Sequence, residues 1–209
     1  MELLTTGITF FQKGGIVMYV LLLCSLFVFS IGIERALYFR RMDSGRAFAR
    51  DFYLALANGK RQQAEKLADD ARGALADILF AVITKKPESR KNPATYMEVQ
   101  SGIALAKLRK RLYYLSVIVT MAPLLGLLGT ISGMITSFSV FNLESGQATA
   151  ITGGVGEALI ATAMGLCVAI VSLAVHAYFS QRIENIVTDM EQCFSMVETA
   201  GDESKEEAA

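Results

Sequence analysis

Few side chains in this sequence can do chemistry, and those that stand out lie in uncharged surroundings. Val119, Pro123, Gly126, Thr130, Gly133 and Ser137 recur at alternating spacings of four and three. On a helix they share one small, weakly polar face, while Leu124, Leu128, Ile131, Ile135 and Phe138 fall largely away from it. Pro123 has no N–H and leaves a carbonyl of the preceding turn free. Thr130 and Ser137 add hydroxyls. Further along, Ala158, Thr162, Gly165, Ala169 and Leu173 form a second small stripe with one hydroxyl. Small faces let helices approach closely in lipid, where packing rather than the hydrophobic effect drives association. The hydroxyls make the first face a polar seam toward protein or water. One acid stands nearby, Glu157. An ionisable group in a membrane is a functional candidate; the alternative is a carboxylate held at a helix N-terminus by the dipole, or a structural ion pair. Glu157 and Thr162 are five residues apart, about 140° around a helix, and do not share a face.

Other chemistries find no support. The single histidine, His176, and three scattered cysteines make no metal-ligand spacing. No glycine-rich loop ends in Gly-Lys-Ser/Thr. Thr152-Gly153-Gly154-Val155-Gly156 has a faint likeness to a potassium filter, but it falls at the mouth of an expected hairpin rather than in a shielded re-entrant loop. No Ser/His/Asp set is available, so an enzyme is not expected and neither is a cofactor. Twenty Lys+Arg balance twenty Asp+Glu, which gives no net basic charge for nucleic acid.

The elements that must position these residues follow from hydropathy. Hydrophobic residues make up 53% of the 209, and the mean hydropathy is +0.41. Three uncharged or nearly uncharged runs carry the excess: 14–33, 112–143 and 145–181, the last holding only Glu157. A bilayer core needs about 20 apolar helical residues. The chain is therefore read as an all-α membrane protein with three transmembrane helices and long helices extending into the cytoplasm. The expected layout is an outer-leaflet amphipathic segment at 1–13, spans at 14–34, 112–143 and 157–181, a cytoplasmic helical domain at 35–111, an outer hairpin at 144–156, a cytoplasmic helix at 182–200 and a disordered tail at 201–209. The first run is too long for a signal-peptide core and is read as a retained span. Seventeen of the twenty basic residues lie between Glu34 and Arg111, and the hairpin has none, which puts the N-terminus outside and the C-terminus in the cytoplasm. Ala64 to Val82 repeats at helical spacing. Asn92 caps a helix with Pro93 at its first position, or Thr95 and Glu98 form a capping box; that helix is expected to run unbroken from about 94 to about 141.

The run from Ala122 to Phe138 (APLLGLLGTISGMITSF) resembles the second-span signature of the MotA/TolQ/ExbB proton-channel family. Gly156 to Leu166 (GEALIATAMGL) resembles its third-span signature. Size and three spans resemble the ExbB/TolQ-like branch. The resemblance implies a homo-oligomeric ring, usually a pentamer, in the inner membrane. The ring would enclose a single-span ExbD/TolR-like subunit whose membrane Asp carries the ion, a proton by family habit. Thr130 and Thr162 would line the pathway with Glu157 as the family's third-span acid. Pro123, Gly126, Gly133, Ser137, Gly165 and Ala169 would pack the pore face. Proton flow would then move the partner, and a TonB- or TolA-like protein would receive the force. The sequence departs from the family at Val171, where a proline often follows Ala-Ile, so the third span should be straighter. A membrane scaffold without ion flux, and a self-sufficient channel using Glu157, are the competing readings.

Overall fold

Uncharged runs in lipid have no water for their backbone N–H and C=O groups, so the backbone closes on itself as helix. The computed structural model describes residues 15–86, 89, 92–143 and 148–206; within the helices, the side chains of 139–143, 148–154, 157 and 202–206 stand outside that description. The described residues form α1 (Gly15–Met42), α2 (Arg46–Ala57), α3 (Arg61–Asp70), α4 (Ala74–Ile83), α5 (Pro93–Arg109), α6 (Leu112–Leu143) and α7 (Ala148–Glu206), with no strand among them. The fold is all-α. Three helical stretches, carried by α1, α6 and α7, are long and apolar enough to cross a membrane. The segment expected at 1–13 lies outside the described residues.

Packing divides the chain into two units. The first takes residues up to Ile33 and Leu112–Ala177. Its buried side chains are narrow stripes: Met18, Leu21, Val28 and Ile31 on α1, and Leu115, Ile118 and Ala122 on α6. The opposite faces expose Leu23, Phe29, Leu124, Ile135 and Ile170, as membrane-facing helices do.

The second unit takes Glu34–Arg111 and Tyr178 onward. Its core holds Phe52, Leu79, Met97, Ile183 and Cys193, all nearly inaccessible. Ile78, Val82 and Met97 gather Tyr96, Phe194 and Val197 around them. Asn92 caps α5, its side chain accepting from the Thr95 N–H at 3.3 Å with Pro93 in the first turn.

Four boundaries differ from the sequence expectation. The Ala64–Val82 periodicity is two helices, because the chain turns at Gly73 with φ of 126°. The helix expected from 94 to 141 has its ladder interrupted at Lys110 and Arg111, although Lys110 keeps helical angles and its N–H still bonds the Ala106 carbonyl at 3.1 Å. There the carbonyls of Lys107 and Leu108 accept the guanidinium of Arg35, at 3.1 and 3.3 Å. α7 starts at Ala148, inside the stretch expected as a hairpin; nothing from Ala148 to Gly156 is Pro or charged, so helix is the default there. It also runs to Glu206, through most of the stretch expected as a disordered tail, where Glu203, Lys205 and Glu206 favour helix against Gly201 and Asp202.

Candidate ion pathway

The seam is set by what a glycine lacks. A Cβ on Gly126 would stand 2.9 Å from the Thr162 Cα, and one on Gly165 would stand 2.5 Å from the Ala122 carbonyl oxygen and 3.1 Å from the Gly126 Cα. One on Gly133 would meet the Ala158 Cβ at 2.8 Å. The glycine face of α6 is therefore laid directly on the small stripe of α7, backbone to backbone. This is the close approach that small residues allow in lipid. Ala158, Ala161 and Ala169 are buried in the same seam, and Pro123 is half-buried beside it.

The hydroxyls then find carbonyls. Thr162 Oγ1 donates across the helix pair to the Gly126 carbonyl at 3.0 Å. Thr130 is half-buried and donates within its own helix to Leu127 at 2.7 Å. Ser137 is buried and donates to Gly133 at 2.8 Å. Each hydroxyl uses its one proton this way and keeps lone pairs that can accept from water or a protonated acid. None can hold or release a proton near neutral pH. Among the described side chains the seam offers no carboxylate. Glu157 has a helical backbone, and its side chain lies outside the described ones.

The geometry brings Thr162, Gly126, Gly133 and Gly165 together as the spacing predicts. It puts Leu173 elsewhere: that side chain is exposed, and Ser172 takes its place on the seam. Ser172 is fully buried and donates to the Leu115 carbonyl at 3.1 Å. Gly129 is also part of the contact, since its Cβ would meet that of Ala161 at 2.6 Å. Both were legible as one more step of three in each stripe, from Ala169 to Ser172 and from Gly126 to Gly129. His176 is half-buried, one turn after Ser172 on α7.

In the second unit, Arg35 is one of the seventeen basic residues whose count marks the cytoplasmic side. In the fold it is 4% exposed. Its guanidinium forks onto the Glu34 carboxylate at 2.8 and 3.0 Å, and Glu34 also takes Arg111 at 3.0 Å. A buried cation satisfied by an acid and two carbonyls is a structural clamp.

A family model described as the MotA/TolQ/ExbB proton channel family matches residues 66–192. The chain is similar to the ExbB-like 1 biopolymer transport protein of Synechocystis, 35% identical over 170 residues, which is 79% of this chain and 67% of that relative. It is similar to an ExbB homologue of Methanothermobacter thermautotrophicus, 23% identical over 188 residues, 89% of this chain and 67% of the relative. The Tol-Pal system protein TolQ of Pseudomonas aeruginosa is 34% identical over 82 residues, 39% of this chain and 36% of its own length. The stretch that the family model matches contains the whole glycine seam.

Proposed function

Because the chain belongs to the MotA/TolQ/ExbB proton channel family, we propose that it forms a ring, a pentamer, around a single-span ExbD/TolR-like subunit and uses proton flow to move it. The chain is a multi-pass inner-membrane protein and a proton-channel subunit that energises an envelope process; its family is one of channels, not enzymes. The membrane Asp of the small subunit would carry the proton. Thr130 and Thr162 would line its path, with Glu157 near the outer boundary, and no cofactor would take part. Pro123, Gly126, Gly133, Ser137, Gly165 and Ala169 would hold the two helices at the spacing the pathway needs. A TonB- or TolA-like protein would take up the force.

The observation that carries this reading is the Thr162 to Gly126 bond in a seam of hydroxyls with no described carboxylate. Hydroxyls can solvate a moving proton but cannot store it, so the titrating group belongs on another chain or on Glu157. The basic excess of the Glu34–Arg111 stretch supports a cytoplasmic second unit, with the N-terminus periplasmic and the C-terminus cytoplasmic.

Native mass spectrometry of the complex extracted from source membranes tests it. The expected result is a ring of identical chains with substoichiometric small single-span subunits. A lone monomer or dimer, under conditions that preserve other membrane complexes, would overturn the reading in favour of a scaffold without ion flux.

A further inference from the structure

In the second unit, α5 and α7 leave a groove of about 470 Å³ between them. Its floor is apolar, with Met97, Leu105, Met190 and Phe194. Its rim is acidic: Glu98, Glu191 and Glu198 are exposed and carry no ion pair among the described residues. Three unpaired acids around an apolar trough select a basic, amphipathic occupant.

The same unit presents such a surface on another helix. Arg46, Arg50, Tyr53, Leu54 and Ala57 of α2 are exposed and fall within about 100° of the helix circumference, at 100° per residue. Tyr53 and Leu54 are large and apolar, 42% and 48% exposed, and Arg46 and Arg50 are more than 70% exposed at their side chains. Asp51 flanks the face and pairs with Arg50 at 3.0 Å, so Arg50 would exchange or share this acid on docking. Arg46 lies 3.8 Å from Asp189.

The two surfaces are at the same level along α7. The Cys193 thiol donates to the Ala49 carbonyl at 3.5 Å, and Arg46 faces Asp189, which lays α2 beside residues 189–193. The groove is walled by Val187 to Glu198. A copy rotated about an axis parallel to α7 therefore brings its α2 face to its neighbour's groove with no shift along that axis. Two different patches matched by pure rotation are the condition for a heterologous interface that closes into a ring rather than growing as a filament.

We propose that the α5/α7 groove receives the α2 face of a neighbouring copy, with Tyr53 and Leu54 on the apolar floor and Arg50 among the rim glutamates. The proposal builds on the ring reading and names the contact that closes the second unit's part of it. The test is cysteine pairing in native membranes, in full-length chain with Cys24 and Cys167 replaced by Ala. Leu54→Cys together with Glu191→Cys should give an oxidised ladder of dimers and higher species, and each single variant should give none. Arg50→Glu and Glu191→Arg should each reduce the ladder from a pair placed at Leu54→Cys and Glu98→Cys, and the two together should restore it. Native mass of the same preparations separates the outcomes. An intact ring without the ladder overturns this contact and leaves the ring standing. A monomer without the ladder removes both. A single variant that pairs with itself means a two-fold contact, and crosslinking to a smaller foreign chain means a basic partner fills the groove; either result overturns the proposal.

Discussion

A single methyl group separates a tolerated glycine from a required one in this protein. A Cβ at Gly165 would press on the Ala122 carbonyl and the Gly126 Cα, which are backbone atoms that cannot rotate away. Gly165→Ala must force α6 and α7 apart, and overpacking of this kind costs about 1–3 kcal/mol. We expect loss of thermal stability in detergent and loss of channel activity together. Gly102 is the control. It sits inside α5 with nothing within 4 Å of its missing Cβ. Gly102→Ala should stabilise by about 0.5–1 kcal/mol, since glycine inside a helix is unfavourable for entropic reasons, and a melting curve reads both variants. Cys193 obeys the same local logic with a proton in place of a methyl. Burial, with a smaller push from Asp189, raises its thiol to about 12. The unfolded thiol titrates near about 8.5. Folding thus favours the protonated thiol, so this contribution is complete below the unfolded value and is lost as the pH rises from there toward 12. Maleimide at pH 7.5 should leave Cys193 unlabelled in the native chain, with Cys24 and Cys167 replaced, and label it after denaturation. Rapid labelling of the native chain would contradict the burial.

Elements in the second unit are held by side chains far away in sequence. The N-terminus of α4 follows Gly73, which has no side chain to cap with. The cap comes from Ser44, whose Oγ accepts the Ala76 N–H at 3.1 Å. A Cβ on Gly73 would collide with that hydroxyl and come within 2.7 Å of the Ser44 nitrogen. Ser44→Ala should cost about 1 kcal/mol, as lost helix caps do. Gly73→Ala should cost more, because it adds the clash and a φ of 126° to the lost geometry. Chemical denaturation of the two variants should rank them in that order. This is also why the break between α3 and α4 was not legible. Period alone runs through Ala71 and Leu75 without interruption; the turn itself is at Gly73, and the hydroxyl that caps the helix after it stands 32 positions before the N–H it accepts. The interruption after Arg109 has the same character, because the carbonyls of Lys107 and Leu108 accept from Arg35. What the sequence did disclose was everything that depends on local pattern: the three apolar stretches, the Asn92–Pro93 start of α5 and the small faces of α6 and α7. In the seam itself the pattern left out Gly129 and chose Leu173 where Ser172 stands. The side chain that could bond a carbonyl went inward, and the larger apolar one went out.

At the scale of the whole molecule, the question is where the moving proton resides. A membrane potential of 100 mV supplies about 2.3 kcal/mol for each charge that crosses, so useful work needs several protons, each held and released in turn. Thr130, Thr162, Ser137 and Ser172 all spend their protons on backbone carbonyls. They can pass a proton along through water, yet none can stop it. The chain alone should therefore be a closed seam. Reconstituted in vesicles with a pH-sensitive dye inside, it should show no proton uptake above that of empty vesicles. On the proposed function, adding a single-span ExbD/TolR-like subunit should open flux, and replacing the membrane Asp proposed for it by Asn should close it again. Thr162→Val keeps the shape of the side chain and removes its hydroxyl. Across membrane helices such a bond is worth only about 0.6 kcal/mol on average, so the assembled complex should survive while flux falls. Glu157→Gln then separates the two remaining sources of the titrating group. Flux by the lone chain that vanishes with Glu157→Gln would place the proton on this chain and remove the need for a partner. Flux that requires the partner and only weakens with Glu157→Gln would leave Glu157 as a residue of the pathway's outer end.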